Sequence, residues 1–437
     1  MLRVEAPTGG LVWERARGLA DPGGGSDLVP QHTVRIASIT KSYVAAAVLR
    51  MVEEGAVALD DPVEPHLGPA TVRLLREGGY DPSAVTVRML LQHTSGLTDY
   101  ATADAFVERV RSDPQHRWNR EEQLAVAVDV GGPVAPPGAR FHYSDTGYVL
   151  LGEILERGTG GPLRQALREL LSFDALGLEA TWLESAEPPP PGAPPRAHQR
   201  WSDPQWGTLD TYDWDPSFDL FGGGGLVSNP EEVITFFRAL FEGEVFHDPT
   251  SLDAMTAATP QSLLVTEEGY GMGLGRGRYQ GVECFGHGGF WGTLVRYCPE
   301  AELAVAGVVT STADRERLEA LVRRTLTMMT TEAIPEADAP GARAPSPRET
   351  AAEGEDPLGA ELEAMIPPRM RSDGVPGLTV LVLRRGEVRW LASFGVADLE
   401  SGRPMTPDAV FRVESISKPV TAWGILMLAE EGLLDLD

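Results

Sequence analysis

The sequence predicts an α+β protein: an antiparallel sheet flanked by helices, a helical subdomain inserted between its strands, and a partial second copy of its own beginning. Three observations carry this. Strand-like sequence lies near the start and again between residues 281 and 309, with helical patterning and long loops between. Residues 386–437 repeat residues 9–60 without a gap. The two lysines of the chain, Lys41 and Lys418, stand at matching places in that repeat, each three residues after a serine.

Taken in order, Met1-Leu2-Arg3-Val4-Glu5 leads directly into strand material, so no signal peptide is expected. A turn over residues 7–9 precedes a strand, Gly10–Ala16. A loop rich in Gly, Pro and Asp follows from Asp21 to Pro30. The next helix begins at Ser38, carries Val44, Ala45, Val48, Leu49 and Val52, and stops near Gly55. It is nearly apolar on all sides, which marks a central buried helix. Helical pieces at Val87–Leu91 and Tyr148–Leu155 follow. Pro188–Pro195 reads as a proline-rich surface loop, and Gly222–Gly225 as flexible backbone. The aromatic and acidic stretch 201–221 either lines a pocket or caps the core. Asn229-Pro230-Glu231-Glu232 opens a helix with Asn as cap and Pro in the first turn. Strands return at Gly281–Phe285, Thr293–Tyr297 and Leu303–Val309, and a closing helix spans Arg315–Met329.

This assigns residues 1–331 to a first domain. Residues 332–359, rich in Ala, Pro and Glu, read as a disordered linker. Residues 360–437 form the N-terminal part of a second copy, with a leading helix Leu362–Arg371 and a strand Gly377–Arg384. In the repeat Trp13 matches Trp390, and Glu53-Glu54-Gly55 matches Glu430-Glu431-Gly432. The first copy is expected to lack that leading helix and most of that strand. Two explanations stand: a fragment of a longer tandem protein cut at both ends, which is preferred, or docking of 360–390 onto the first unit, by self-association or within the chain.

A net charge of −27 argues against a nucleic-acid partner. No apolar run reaches transmembrane length. The two cysteines, Cys284 and Cys298, are too few for a disulfide framework and flank a hairpin centred near Trp291. One bridge is conceivable; two buried thiols are expected.

Of the 37 basic residues all but Lys41 and Lys418 are arginine. Arginine does not give up its proton in proteins, whereas a buried lysine shifts its pKa readily. Ser38-Ile39-Thr40-Lys41 therefore reads as a nucleophile with its base. Residues three apart on a helix share a face, the helix start favours developing negative charge, and burial would lower Lys41 from a reference of about 10.4. Arg140-Phe141-His142-Tyr143-Ser144-Asp145 and Gly286-His287-Gly288-Gly289-Phe290 are two further polar elements, the second with glycines that fit close backbone approach.

These three elements, in this order over residues 1–331, resemble the serine β-lactamase and penicillin-binding-protein superfamily, in its class C β-lactamase, DD-peptidase and esterase branch. The resemblance implies the β-lactamase/transpeptidase-like fold and acyl transfer through a covalent acyl-enzyme, with no cofactor and no metal. It implies Ser38 as nucleophile, Lys41 and Tyr143 as proton carriers, and an oxyanion site from the backbone of Ser38 and Phe290 beside His287, Gly288 and Gly289. Leu90–Leu97 resembles a structural stretch of the same branch. An extracytoplasmic setting and a small-molecule or peptide substrate are implied as well.

Two departures bear on substrate. Asp145 stands where the family pattern has Asn, and an ionised Asp accepts hydrogen bonds without donating. His287 stands where Lys is usual, and it is charged only below about pH 6.5 unless shifted. The first points from β-lactams and D-Ala-D-Ala peptides toward esters or substrates with a free amine, and the second toward esterase, D-aminopeptidase or D-peptidase chemistry. The alternatives are a true β-lactamase or DD-carboxypeptidase, and a catalytically dead binding or regulatory protein. The second copy lacks the other two elements within its length, so Ser415 and Lys418 are expected to be inactive alone.

Overall fold

The computed structural model describes residues 1–330 except 8–9, 192–194 and 267, and residues 357–409 except 374, 385–386, 400 and 408. The chain divides into two compact units, Met1–Ala333 and Ile334–Asp437.

The first unit is built on six antiparallel strands: β1 (Leu2–Ala6), β2 (Leu11–Arg15), β3 (Gly275–Tyr279), β4 (Val282–Gly289), β5 (Thr293–Cys298) and β6 (Leu303–Val308). Their order across the sheet is β3-β4-β5-β6-β1-β2, so the two ends of the unit meet at the β6–β1 pair. β1 is shorter than the matching strand Gly377–Arg384 of the second copy, yet it pairs on both sides, Val4 opposing Val305 and Trp13.

Side chains alternate across a strand, and β6 shows what that does here. Ala304, Ala306 and Val308 enter the main core, while Leu303 and Val305 join Leu318, Val322 and Leu326 of the closing helix. That helix spans Arg315–Thr330, and the helix Pro230–Phe241 also packs on β6. Asn229 caps the latter, its side chain accepting from the Glu232 N–H at 2.9 Å.

Between β2 and β3 lies the helical subdomain. Its centre is α1 (Thr40–Glu53), buried without a break from Thr40 to Met51. Each Val or Leu so buried contributes about 1.5–3 kcal/mol over its exposed state. α1 packs on α2 (Asp145–Thr159), which ends at the left-handed Gly160. The expected helix start at Ser38 is displaced: Ala37–Ile39 is a turn of 3-10 helix, and the α-helix begins at Thr40. The reason is the sharp exit from the short strand Val34–Arg35, for which Ala37 takes a φ of +47°.

The expectation of two free thiols gives way. Cys298 opposes Leu303 on β6, and the β4–β5 register that pairs Phe285 with Tyr297 sets Cys284 across from Cys298. The two form a disulfide between adjacent strands, both residues fully buried. Spacing alone did not reveal that register.

In the second unit the helix Pro357–Asp373 begins three residues inside the expected linker and encloses the predicted Leu362–Arg371. Gly377–Arg384 pairs antiparallel with Glu387–Gly395. Ile366, Met370 and Trp390 form a small core there. Residues 331–356, and Ser415 and Lys418, lie outside the described residues.

Candidate active site

Lys41 is the second residue of α1, and its side chain is wholly enclosed. A buried ammonium must be paired and hydrogen-bonded. Lys41 Nζ donates to Ser38 Oγ at 3.0 Å and to the Gly223 carbonyl at 2.6 Å, and lies 2.6 Å from Asp145 Oδ1. Burial alone would lower its pKa, as the sequence led us to expect. The Asp145 carboxylate and Tyr143 outweigh burial, and the ammonium is held above the ordinary lysine value. At neutral pH the resting centre is an ammonium–carboxylate pair leaning on Ser38.

Gly222–Gly225, read from sequence as flexible, is a buried wall of this centre. A Cβ on Gly222, whose φ is +121°, would lie 2.3 Å from the Tyr148 carbonyl, so only glycine lets this segment approach α2.

Tyr143 lines the space beside Ser38, with the Lys41 ammonium 5.1 Å from its ring centre. Its hydroxyl is buried without a regularly aligned hydrogen-bond partner. Burial, against the pull of Lys41, pushes the phenol up to about 12. Behind it, the His93 ring lies 4.2 Å from the Tyr143 ring, tilted by 31°, and its Nδ1 accepts from the Ser144 N–H at 3.1 Å. The stretch Leu90–Leu97 thus positions Tyr143. Asp99 adds to this: its Oδ1 accepts from the Asp145 N–H at 2.9 Å, at the start of α2.

β4 brings His287, Gly288 and Gly289 to the same cleft. A Cβ on Gly289 would lie 2.3 Å from the Ile36 carbonyl, and Thr293 Oγ1 donates to that carbonyl at 3.1 Å. The glycine lets the strand lie against the turn that carries Ser38. His287 Nδ1 is 2.6 Å from the Gly288 carbonyl and Nε2 is 2.9 Å from the Tyr270 hydroxyl. A carbonyl only accepts, so Nδ1 holds the proton and Nε2 accepts from Tyr270. Burial first, then Lys41, push His287 down to about 3. His287 is therefore neutral at physiological pH and offers no charge to a carboxylate.

Two cavities meet at Ser38. One, about 330 Å³, runs past His287 and Gly289 to Arg315. Phe290 lies between it and the other, with its ring 5.3 Å from the Arg315 guanidinium. The second cavity, about 380 Å³, is lined by Asp99, Asp145, Asp219 and several aromatic rings. A larger surface groove, about 980 Å³, by Pro62, Pro65 and Arg76 contains none of these groups.

A family model described as Beta-lactamase matches residues 5–327 and again residues 362–437. The chain belongs to the beta-lactamase family. It is 36% identical over 190 residues to esterase EstB of Burkholderia gladioli, covering 42% of this chain and 47% of EstB, so the chain spans about half of that relative. It is 24% identical over 305 residues to the D-alanyl-D-alanine-carboxypeptidase/endopeptidase AmpH of Escherichia coli K12, covering 65% of this chain and 73% of AmpH. Among solved structures, D-amino acid amidase of Ochrobactrum anthropi SV3 superposes with a TM-score of 0.61 at 26% identity, over 76% of this chain and 93% of the amidase. A D-stereospecific amidohydrolase from Streptomyces gives 0.61 at 28% identity, over 71% and 88%.

In this family member the predicted Ser38, Lys41, Tyr143, Asp145, His287, Gly288, Gly289 and Phe290 converge on one cleft. The sequence reading missed Asp99, Asp219, Gly223, Tyr270 and Arg315. A signal existed for Asp219 alone, in the aromatic–acidic stretch 201–221, which does line a cavity. Among the described residues no helix is long and apolar enough to cross a membrane.

Proposed function

We propose that the first unit is a serine hydrolase that cleaves esters or D-amino-acid amides through a covalent acyl-enzyme. The observation that carries this is the 3.0 Å hydrogen bond from Lys41 Nζ to Ser38 Oγ, made in a closed polar centre with Tyr143 alongside. Ser38 is the nucleophile. An ammonium proton of Lys41 shifts to Asp145, and the resulting amine takes the Ser38 proton as Oγ bonds to the substrate carbonyl. The oxyanion is received by the backbone of Ser38 and Phe290. As the carbonyl re-forms, the bond to the leaving group breaks and Tyr143 gives that group its proton. Tyr143 recovers a proton from Lys41, and water then releases the acyl group by the reverse proton path. No metal or cofactor takes part.

Substrate class follows from the same groups. Asp145 cannot donate to a substrate carbonyl while ionised, and neutral His287 cannot hold a carboxylate by charge. EstB is an esterase, and the Ochrobactrum protein a D-amino acid amidase, by their names. The family setting favours an extracytoplasmic location, with which the buried disulfide agrees. Residues 386–437 repeat residues 9–60, and we propose that Ser415 is inactive without the other two elements.

A fluorophosphonate probe followed by peptide mapping tests the assignment. Label on Ser38, and loss of p-nitrophenyl butyrate hydrolysis in Ser38→Ala but not in Ser415→Ala, is expected. Activity that survives Ser38→Ala and disappears in Ser415→Ala overturns it. An absence of both label and turnover favours a binding protein.

A further inference from the structure

The cavity on the Asp219 side of Ser38 is chemically mixed. It holds three carboxylates, Asp99, Asp145 and Asp219, within an apolar wall that includes Phe106, Phe218 and Trp291. Such a wall is a poor place for negative charge unless a cation comes with it.

The cations nearby are already engaged. Lys41 is paired with Asp145 at 2.6 Å and Arg35 with Glu184 at 2.6 Å. Asp99 is occupied by the N–H of Asp145 and by the Thr102 hydroxyl at 3.1 Å. Asp219 differs. Its carboxylate has the Trp291 side chain as a hydrogen-bonding neighbour, and among the described residues no Lys, Arg or His lies within salt-bridge distance of it. It faces the cavity, next to rings that attract cations through their π faces.

We infer that this cavity receives the acyl part of an amine-bearing substrate, an amino-acid residue with an aromatic or branched apolar side chain, whose ammonium pairs with Asp219. This deepens the serine-hydrolase reading and rests on it. The volume, about 380 Å³, suits one such residue rather than a long acyl chain. Burial and then the Asp145 charge push Asp219 up to about 7, the behaviour of a carboxylate short of positive charge. An incoming ammonium supplies it. The Ser38 side of the cavity then presents the carbonyl to the nucleophile, and the leaving group lies toward His287 and Arg315.

The test compares methyl esters of phenylalanine, both enantiomers, with methyl 3-phenylpropionate, which lacks only the ammonium. With the full chain, kcat/KM for the preferred amine substrate should exceed that of the des-amino ester by about tenfold or more, as for a desolvated charge pair. In Asp219→Asn this ratio should fall toward one, whatever happens to the absolute rates. A binding measurement stands beside it: in Ser38→Ala, tryptophan fluorescence is titrated with 2-phenylethylamine and with 2-phenylethanol. Saturable quenching at lower concentration for the amine, lost in Asp219→Asn, is expected. Equal ratios in both proteins, or equal binding of amine and alcohol, overturn the inference while butyrate ester hydrolysis leaves the hydrolase reading intact. Preferential amine binding without any ester turnover or probe labelling would do the reverse.

Discussion

Lys41 and Asp145 meet through a 2.6 Å contact between Nζ and Oδ1, in a place where an unpaired charge could not be kept. The carboxylate that departs from the family pattern is thus the partner of the lysine on which the centre depends.

Asp145→Asn should therefore change how the rate depends on pH. Wild type is expected to hold a flat kcat/KM for p-nitrophenyl butyrate between about pH 6.5 and 8.5, because the proton moves within the pair. Without the carboxylate, burial becomes the dominant influence on Lys41 and lowers its pKa from the raised position. The variant should lose at least about tenfold at pH 7 and regain activity as pH rises, since the amine must now be freed by solvent. A flat profile in the variant would show that Asp145 carries no proton. Removing one side of a buried pair should also cost about 3 kcal/mol in thermal or urea unfolding at pH 7.

Tyr270 and His287 act as a neutral unit. Tyr270→Phe leaves the His287 Nε2 acceptor without its donor, at a cost of about 1–2 kcal/mol in stability. With His287 held down to about 3, His287→Gln should leave the shape of the pH–rate profile between about pH 5.5 and 8 unchanged. An acid limb near pH 6 that vanishes in the variant would mean that His287 is charged in the working range.

Gly289→Ala tests the contact that joins strand to nucleophile. The added carbon would fall 2.1 Å from Thr293 Oγ1 and 2.3 Å from the Ile36 carbonyl, so strand and turn must separate. A shift of about 1 Å at a reacting centre costs on the order of a hundredfold in kcat/KM. Near-normal activity in the variant would show that β4 does not set the position of Ser38.

The disulfide makes a separate prediction. Cys284 and Cys298 are 14 residues apart, and closing such a loop is worth about 3 kcal/mol. Denatured, unreduced protein should take up no alkylating reagent, and reduction should expose two thiols and lower the melting temperature. Alkylation without reduction would sink it.

Much of this was legible in the residues. The strands were readable because β6 and its neighbours alternate or run apolar, and α1 because its apolar residues continue around every face. Ser38, Lys41 and Tyr143 were readable because each belongs to a local motif. What remained hidden depends on distance in the chain: 182 positions separate Lys41 from the Gly223 carbonyl that anchors it. Tyr270 is likewise an ordinary aromatic until β3 and β4 pair. The direction of the Lys41 shift was misread for the same reason, since burial is visible in one helix while the opposing carboxylate comes from another. The register that joins Cys284 to Cys298 is also set by pairing rather than by local sequence.

The scarcity of lysine has a practical reach beyond catalysis. Lys41, the one lysine between residues 1 and 333, is fully enclosed. An amine-reactive tag or a surface-coupling chemistry will accordingly find almost nothing to attack on the folded first unit. Acylation of Lys41 by such a reagent becomes a direct chemical report that α1 has opened.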